Sequence, residues 1–130
     1  MGSVIVENKG EMKFEAKCGN HTLVIDVPAS MQGKDRGMTP TELFAVSLGA
    51  CVNVLVTAYC NDMKLPTEGL KVTLSYDKLE KPGRLGNFKA MIAMPGGDWQ
   101  KRKDGILRAA ERCPVHETIR HHEGLEITVQ

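Results

Sequence analysis

The sequence predicts an α+β fold, and three observations carry that reading. A long, almost uncharged helical stretch runs from Thr39 to Met63. Segments alternating apolar and polar with period two lie on both sides of it. The resulting order, ββ(β)–α–ββ–αα–β, groups strands into hairpins instead of alternating single strands with helices, as an α+β chain does.

The central helix has the clearest signals. Thr39 suits the N-cap, Pro40 the first helical position, and Glu42 completes a capping box three residues after the cap. From Leu43 to Tyr59 the polar residues are Ser47, Asn53 and Thr57. Such a helix is expected to be covered on nearly every side. Its length is slightly short for a membrane span, so a central core helix is predicted. Gly49 and Ala45 form a small face where another helix could approach.

Ahead of it, residues 3–8, 12–17 and 21–27 read as strands of an antiparallel meander, with Cys18-Gly19-Asn20 as a tight turn. Residues 28–38 are a polar loop, in which Lys34 and Arg36 place two cations just before the helix. After the helix, residues 70–79 and 86–94 alternate with period two and form a second hairpin across Glu80 to Leu85. Asp98 can cap a helix from Trp99 to Arg112, with Trp99, Ile106, Leu107 and Ala110 on one stripe. Its cations, Lys101, Arg102, Lys103, Arg108 and Arg112, fall largely off that stripe and read as a solvated face. Proline disfavours helix at the residue before it and suits a helix start. One helix therefore ends near Cys113, and a short one runs from Pro114 to Arg120. Residues 125–129 are expected to close the fold as a strand.

Composition bounds the function. The 130 residues, 14.3 kDa, read as a single domain, 1–130, long enough for a real core. Seventeen basic and sixteen acidic residues leave a net charge of +1, which excludes a bulk field favouring nucleic acid or an anionic membrane. The N-terminus has no apolar signal-peptide core, and Val6 does not fit a myristoylation motif. A cytoplasmic location is expected, where thiols stay reduced. The four cysteines are then reactive, redox-active or simply buried.

Cys113 has the most legible electrostatics. It sits at a helix N-cap, between Arg112 and His116, where free N–H groups and the helix dipole favour a thiolate. Cys51 has apolar sequence neighbours. It becomes reactive only if the fold brings a cation and hydrogen-bond donors to it. Cys18 and Cys60 read as incidental or structural. Without CxxC or HExxH spacing, no metal site is expected from Cys113 and His116. GxSxG, Walker and GxGxxG patterns are missing, which argues against a serine hydrolase or a phosphate-binding loop.

The segment PTELFAVSLGAC (Pro40 to Cys51), followed 62 residues later by CPV (Cys113 to Val115), resembles the OsmC/Ohr superfamily. The order of meander, cysteine-bearing helix, hairpin, second helix and Cys-Pro turn resembles it over essentially the whole chain. The resemblance implies antiparallel sheets wrapped around long central helices in an intertwined homodimer. It implies cysteine-dependent reduction of organic hydroperoxides, with Cys51 as peroxidatic nucleophile, Cys113 as resolving thiol, an external dithiol as reductant and no cofactor.

Ten residues before the first cysteine, the family's peroxidases carry the carboxylate that orients an activating arginine. Thr41 occupies that position here. Glu42 lies one residue on, about 100° round the helix, and Arg36 is the nearby cation; both are candidate supports. The sequence TELFAVSLGAC resembles the less characterised OsmC-like branch. A protein that holds or senses a small hydrophobic or thiol-reactive ligand is the alternative, and another thiol-exchange reaction is a third.

Overall fold

A computed structural model describes residues 1–130. It contains five strands and three α-helices: β1 (Ile5–Asn8), β2 (Phe14–Cys18), β3 (His21–Ile25), α1 (Pro40–Asp62), β4 (Lys71–Leu79), β5 (Arg84–Ala93), α2 (Lys103–Glu111) and α3 (Pro114–Arg120). The α+β expectation holds. The chain divides into two compact units, Met1–Phe44 and Ala45–Gln130.

In the first unit, β1, β2 and β3 form an antiparallel meander in that order. Phe14 pairs with Asn8 on one side and Ile25 on the other. The predicted turn at Gly19-Asn20 links Cys18 to His21, which face each other in the register. The loop after β3 folds back on it. Ile25 makes an isolated parallel bridge to Met38, and the Asp35 amide donates to the Val27 carbonyl at 3.1 Å. Gly33 is required by this return, because a Cβ there would lie 1.9 Å from the Val27 carbonyl oxygen.

The start of α1 is as the sequence indicates. Thr39 Oγ1 accepts from the Glu42 amide at 3.2 Å, and Glu42 Oε1 accepts from the Thr39 amide at 3.0 Å. Two amides that the first turn leaves without helical partners are thereby satisfied.

The second unit is organised by one face of α1. Ala45, Leu48, Val52, Val56 and Cys60 recur at three- and four-residue spacing and are buried. Against this stripe lie Val72, Leu74, Phe88 and Ile92 of the β4–β5 hairpin, with Ile106 of α2 and Val115 of α3. The hairpin alternates as predicted, and its outward positions Lys71, Thr73, Ser75 and Asp77 are exposed. Asn53 Nδ2 donates to the Leu70 carbonyl at 3.2 Å and pins the entry of β4 to the helix.

Four expectations are corrected. First, α1 is not covered on nearly every side. It is long and apolar enough to cross a membrane, but it packs one face on the core. Its other face stays open, with Val46 at 47% and Val54 at 66% exposure. One hairpin and two short helices are too little structure to wrap a 23-residue helix. Second, Gly49 faces a strand, not another helix, with a hypothetical Cβ 3.5 Å from Leu74 Cβ. Third, Asp98 does not cap α2. It pairs with Lys101 at 3.1 Å, and a 3-10 turn at Gln100–Arg102 precedes α2. Leu107, expected on the apolar stripe, is exposed beside Ile106, which is buried. Fourth, residues 125–129 form no strand. A strand requires a ladder partner, and Leu125, Ile127 and Val129 find none in this chain and are exposed.

Two glycines of this unit are expected to respond oppositely to alanine. At Gly49 the added methyl meets ordinary van der Waals contact, so Gly49→Ala gains helix propensity and stabilises by about 0.5–1 kcal/mol. At Gly105 a Cβ would lie 2.0 Å from the Tyr59 hydroxyl oxygen. Gly105→Ala displaces that ring and costs on the order of 1–3 kcal/mol. Urea midpoints moving in the same direction for both variants would refute this packing account.

Candidate thiol site

Two of the predicted site residues are brought together by the second unit. Cys51 lies on α1 at the edge of its buried stripe and is half-buried. Cys113 lies between α2 and α3 and is 1% exposed. Its backbone is extended, with φ −63° and ψ 114°, as the following proline demands. Pro114 then starts α3, so the Cys-Pro pair turns the chain and aims the thiol inward. The side chains of Cys51 and Cys113 are within hydrogen-bonding reach of each other.

The electrostatics of Cys113 differ from the sequence expectation. The N-cap placement is as read: its Sγ accepts from the His116 amide at 3.4 Å. The outcome is nevertheless a thiol pushed up from its ordinary range. Burial is the largest cause, followed by the hydrogen bond to Cys51. The backbone amides of His116 and Val115 pull the other way and lose. Desolvation penalises an anion in a dry site more than two weak N–H···S bonds reward it. The flanking residues Arg112 and His116 do not reverse this, for both have exposed side chains. Burial and the neighbouring Cys51 side chain thus both favour the protonated form of Cys113.

The other two predicted site residues, Glu42 and Arg36, belong to the first unit. Glu42 closes the capping box with Thr39. Arg36 is bound to a residue that the sequence reading passed over, Asp26. This carboxylate is fully buried at the end of β3. It accepts from Arg36 Nε at 2.6 Å, from the Arg36 amide at 3.1 Å and from the Val27 amide at 2.7 Å. The Lys34 amide reaches both of its oxygens at 3.4 Å. The Arg36 guanidinium, ahead of the opposing cost of burial, holds the Asp26 carboxyl well below the usual carboxylate range. The available signal was an acid inside LVIDV, a run of β-branched and aliphatic residues, with cations eight and ten residues on.

Of the remaining thiols, Cys60 is buried in the core, where desolvation pushes it up, and Cys18 is exposed at the end of β2. The cations of α2 share their exposed face with Asp104 and Glu111, which breaks up any basic patch. An open groove of about 520 Å³ runs along the uncovered face of α1. Ala50, Asn53, Val54, Thr57, Ala58 and Asn61 line it.

A protein-family model described as OsmC-like protein matches residues 33–129. No curated protein matches the chain by sequence. Among solved structures, a Psychrobacter arcticus 273-4 protein named for osmotic stress induction and detoxification response superposes with TM-score 0.83 at 24% identity, over 95% of this chain and 90% of that one. The OsmC like protein of Mycoplasma pneumoniae gives 0.70 at 18% identity, over 100% and 94%. The organic hydroperoxide resistance protein OsmC of Legionella pneumophila gives 0.59 at 21% identity, over 92% and 89%. At these identities the likeness is one of fold.

These shifted groups set the pH dependence of stability. The folded pKa of Asp26 is depressed below the ordinary 3.8. Its contribution is present above that value and lost as pH falls through the folded one. Those of Cys60 and Cys113 are raised above 9.0. Their contribution is present below 9.0 and lost as pH rises through the folded values. The urea midpoint is expected to hold a plateau near neutrality and decline on both sides. Asp26→Asn should lower the plateau and make the acid limb shallower. An acid limb as steep as wild type in Asp26→Asn would remove Asp26 from this account.

Proposed function

This chain belongs to the OsmC-like protein family, and from that premise we propose that it is a thiol-dependent peroxidase acting on organic hydroperoxides. The observation that carries the reading is the Cys51–Cys113 pair, a half-buried thiol beside a buried one whose pKa is raised. Structural neighbours named for organic hydroperoxide resistance support the choice of substrate.

The division of labour is the one the family resemblance implies, and the two environments support it. Cys51, as the thiolate, attacks the distal peroxide oxygen. The O–O bond breaks, the alkoxide leaves and takes up a proton as the alcohol, and Cys51 becomes a sulfenic acid. The Cys113 sulfur then attacks the Cys51 sulfur. The S–O bond breaks, and the departing hydroxide leaves as water with the Cys113 proton. Two thiols have thereby given two electrons to one hydroperoxide. An external dithiol restores both by exchange and becomes a disulfide. In this reading Glu42 and Arg36 act as supports, and Asp26 is the carboxylate that orients Arg36.

The functional unit is proposed to be a homodimer. The groove on α1 has no charged lining residue, and Val46 and Val54 stand exposed on the same helix. A second copy of the chain would cover them. A second functional reading, capture of a small apolar or thiol-reactive ligand, draws on the same groove, whose volume lies in the range of ligand sites. Thr41, standing where the family's peroxidases carry a carboxylate, also favours it.

Stopped-flow oxidation of the reduced protein by cumene hydroperoxide and by hydrogen peroxide tests the peroxidase. Oxidation is expected to be fast and to prefer the organic peroxide. It should vanish in Cys51→Ser and stop at a sulfenate in Cys113→Ser. A wild-type rate no greater than that of a free thiol transfers the function to ligand capture. Sedimentation equilibrium should give a mass near twice 14.3 kDa. A monomer at micromolar concentration would end the dimer reading.

A further inference from the structure

The Cys113 sulfur has two engagements. One is with Cys51. The other is with α3, whose His116 amide donates to it at 3.4 Å. In the first turn of α3 this sulfur is hard to replace. Pro114 has no N–H, and the Glu117 amide is already served by the Cys113 carbonyl at 3.0 Å.

Little else holds α3. It is seven residues long, a length at which a helix does not persist without support. Val115 is its residue packed on the core cluster. Its polar side-chain contacts, Arg120 and His121 with Glu117 at 3.2 and 3.3 Å, lie at the surface and contribute little. Behind α3 follow residues 122–130, which carry no regular structure.

A disulfide places its two sulfurs about 2.05 Å apart and fixes the torsion between them near ±90°. Sγ is then held by Cys51 and turned by that torsion, no longer by the α3 amides. From this shared atom we infer that oxidation of the Cys51–Cys113 pair removes the N-cap of α3, so that α3 and the tail behind it loosen when the bond forms and tighten when it is reduced. The inference rests on the proposed role of Cys113 as resolving thiol. The oxidant is the organic hydroperoxide, with the electron and proton balance given above. The state of a buried bond is thereby reported to the surface.

Amide hydrogen exchange by NMR on the full chain tests this, with α1 amides as the reference for global opening. Disulfide is generated with diamide, which takes the two thiol hydrogens, and is verified by mass spectrometry. Relative to reduced wild type, exchange at His116 through His121 is expected to rise roughly five- to tenfold in the oxidised protein, the scale of a lost N-cap. Cys113→Ala, which lacks an acceptor, should show the same rise while reduced. Cys113→Ser, whose hydroxyl caps, and diamide-treated Cys51→Ser should stay at the reduced wild-type rate. A verified Cys51–Cys113 bond with unchanged α3 exchange overturns the switch and leaves the peroxidase reading standing. Failure of diamide and cumene hydroperoxide to form the bond overturns both.

Discussion

The burial of one stripe of α1 is the constraint on which the second unit depends. Leu48, Val52, Val56 and Cys60 leave water together, and the β4–β5 hairpin, α2 and α3 are placed by what they cover. The stripe also decides how α2 docks. Gly105 is buried directly against the Tyr59 hydroxyl, an approach that no side chain would permit. Cys51 acquires its half-buried position because it falls on the boundary between this stripe and the open face. One residue to either side the setting changes, for Ala50 is exposed and Val52 is buried.

The two thiols illustrate competition between local and global electrostatics. A helix N-cap stabilises a thiolate when it is solvated or supported by charge. At Cys113 the same cap operates inside a nearly dry pocket, with a second sulfur alongside. Desolvation is then the larger effect, and the cap becomes a structural bond holding α3 instead of a means of activation.

The first unit shows the complementary arrangement, a buried charge that is fully served. Asp26 is removed from water, yet backbone amides from Val27, Lys34 and Arg36 and the Arg36 guanidinium surround it. A buried carboxylate survives only with such a set of donors. The donors are drawn from a loop, so the acid organises residues 28–38 on β3. It also fixes the orientation of an arginine whose side chain is one-third exposed.

Much of this architecture was legible in the sequence because its determinants are local. The capping box at Thr39 and Glu42, the Pro40 start, the period-two runs of both hairpins and the Cys113-Pro114 break act within a few residues of themselves. The structure places those elements within two or three residues of the expected bounds. The paired motif PTELFAVSLGAC and CPV likewise named the family and the two thiols. What local pattern could not decide were quantities set by distant neighbours. Asp26 looked like an ordinary strand acid until the chain returned to surround it. Cys113 looked like an activated thiol until burial was known. The tail at 125–129 alternates like a strand but pairs with no strand edge of this chain. Periodicity determines which groups share a face. Tertiary structure alone determines how much water and which partners each face retains, and desolvation and hydrogen bonding depend on that.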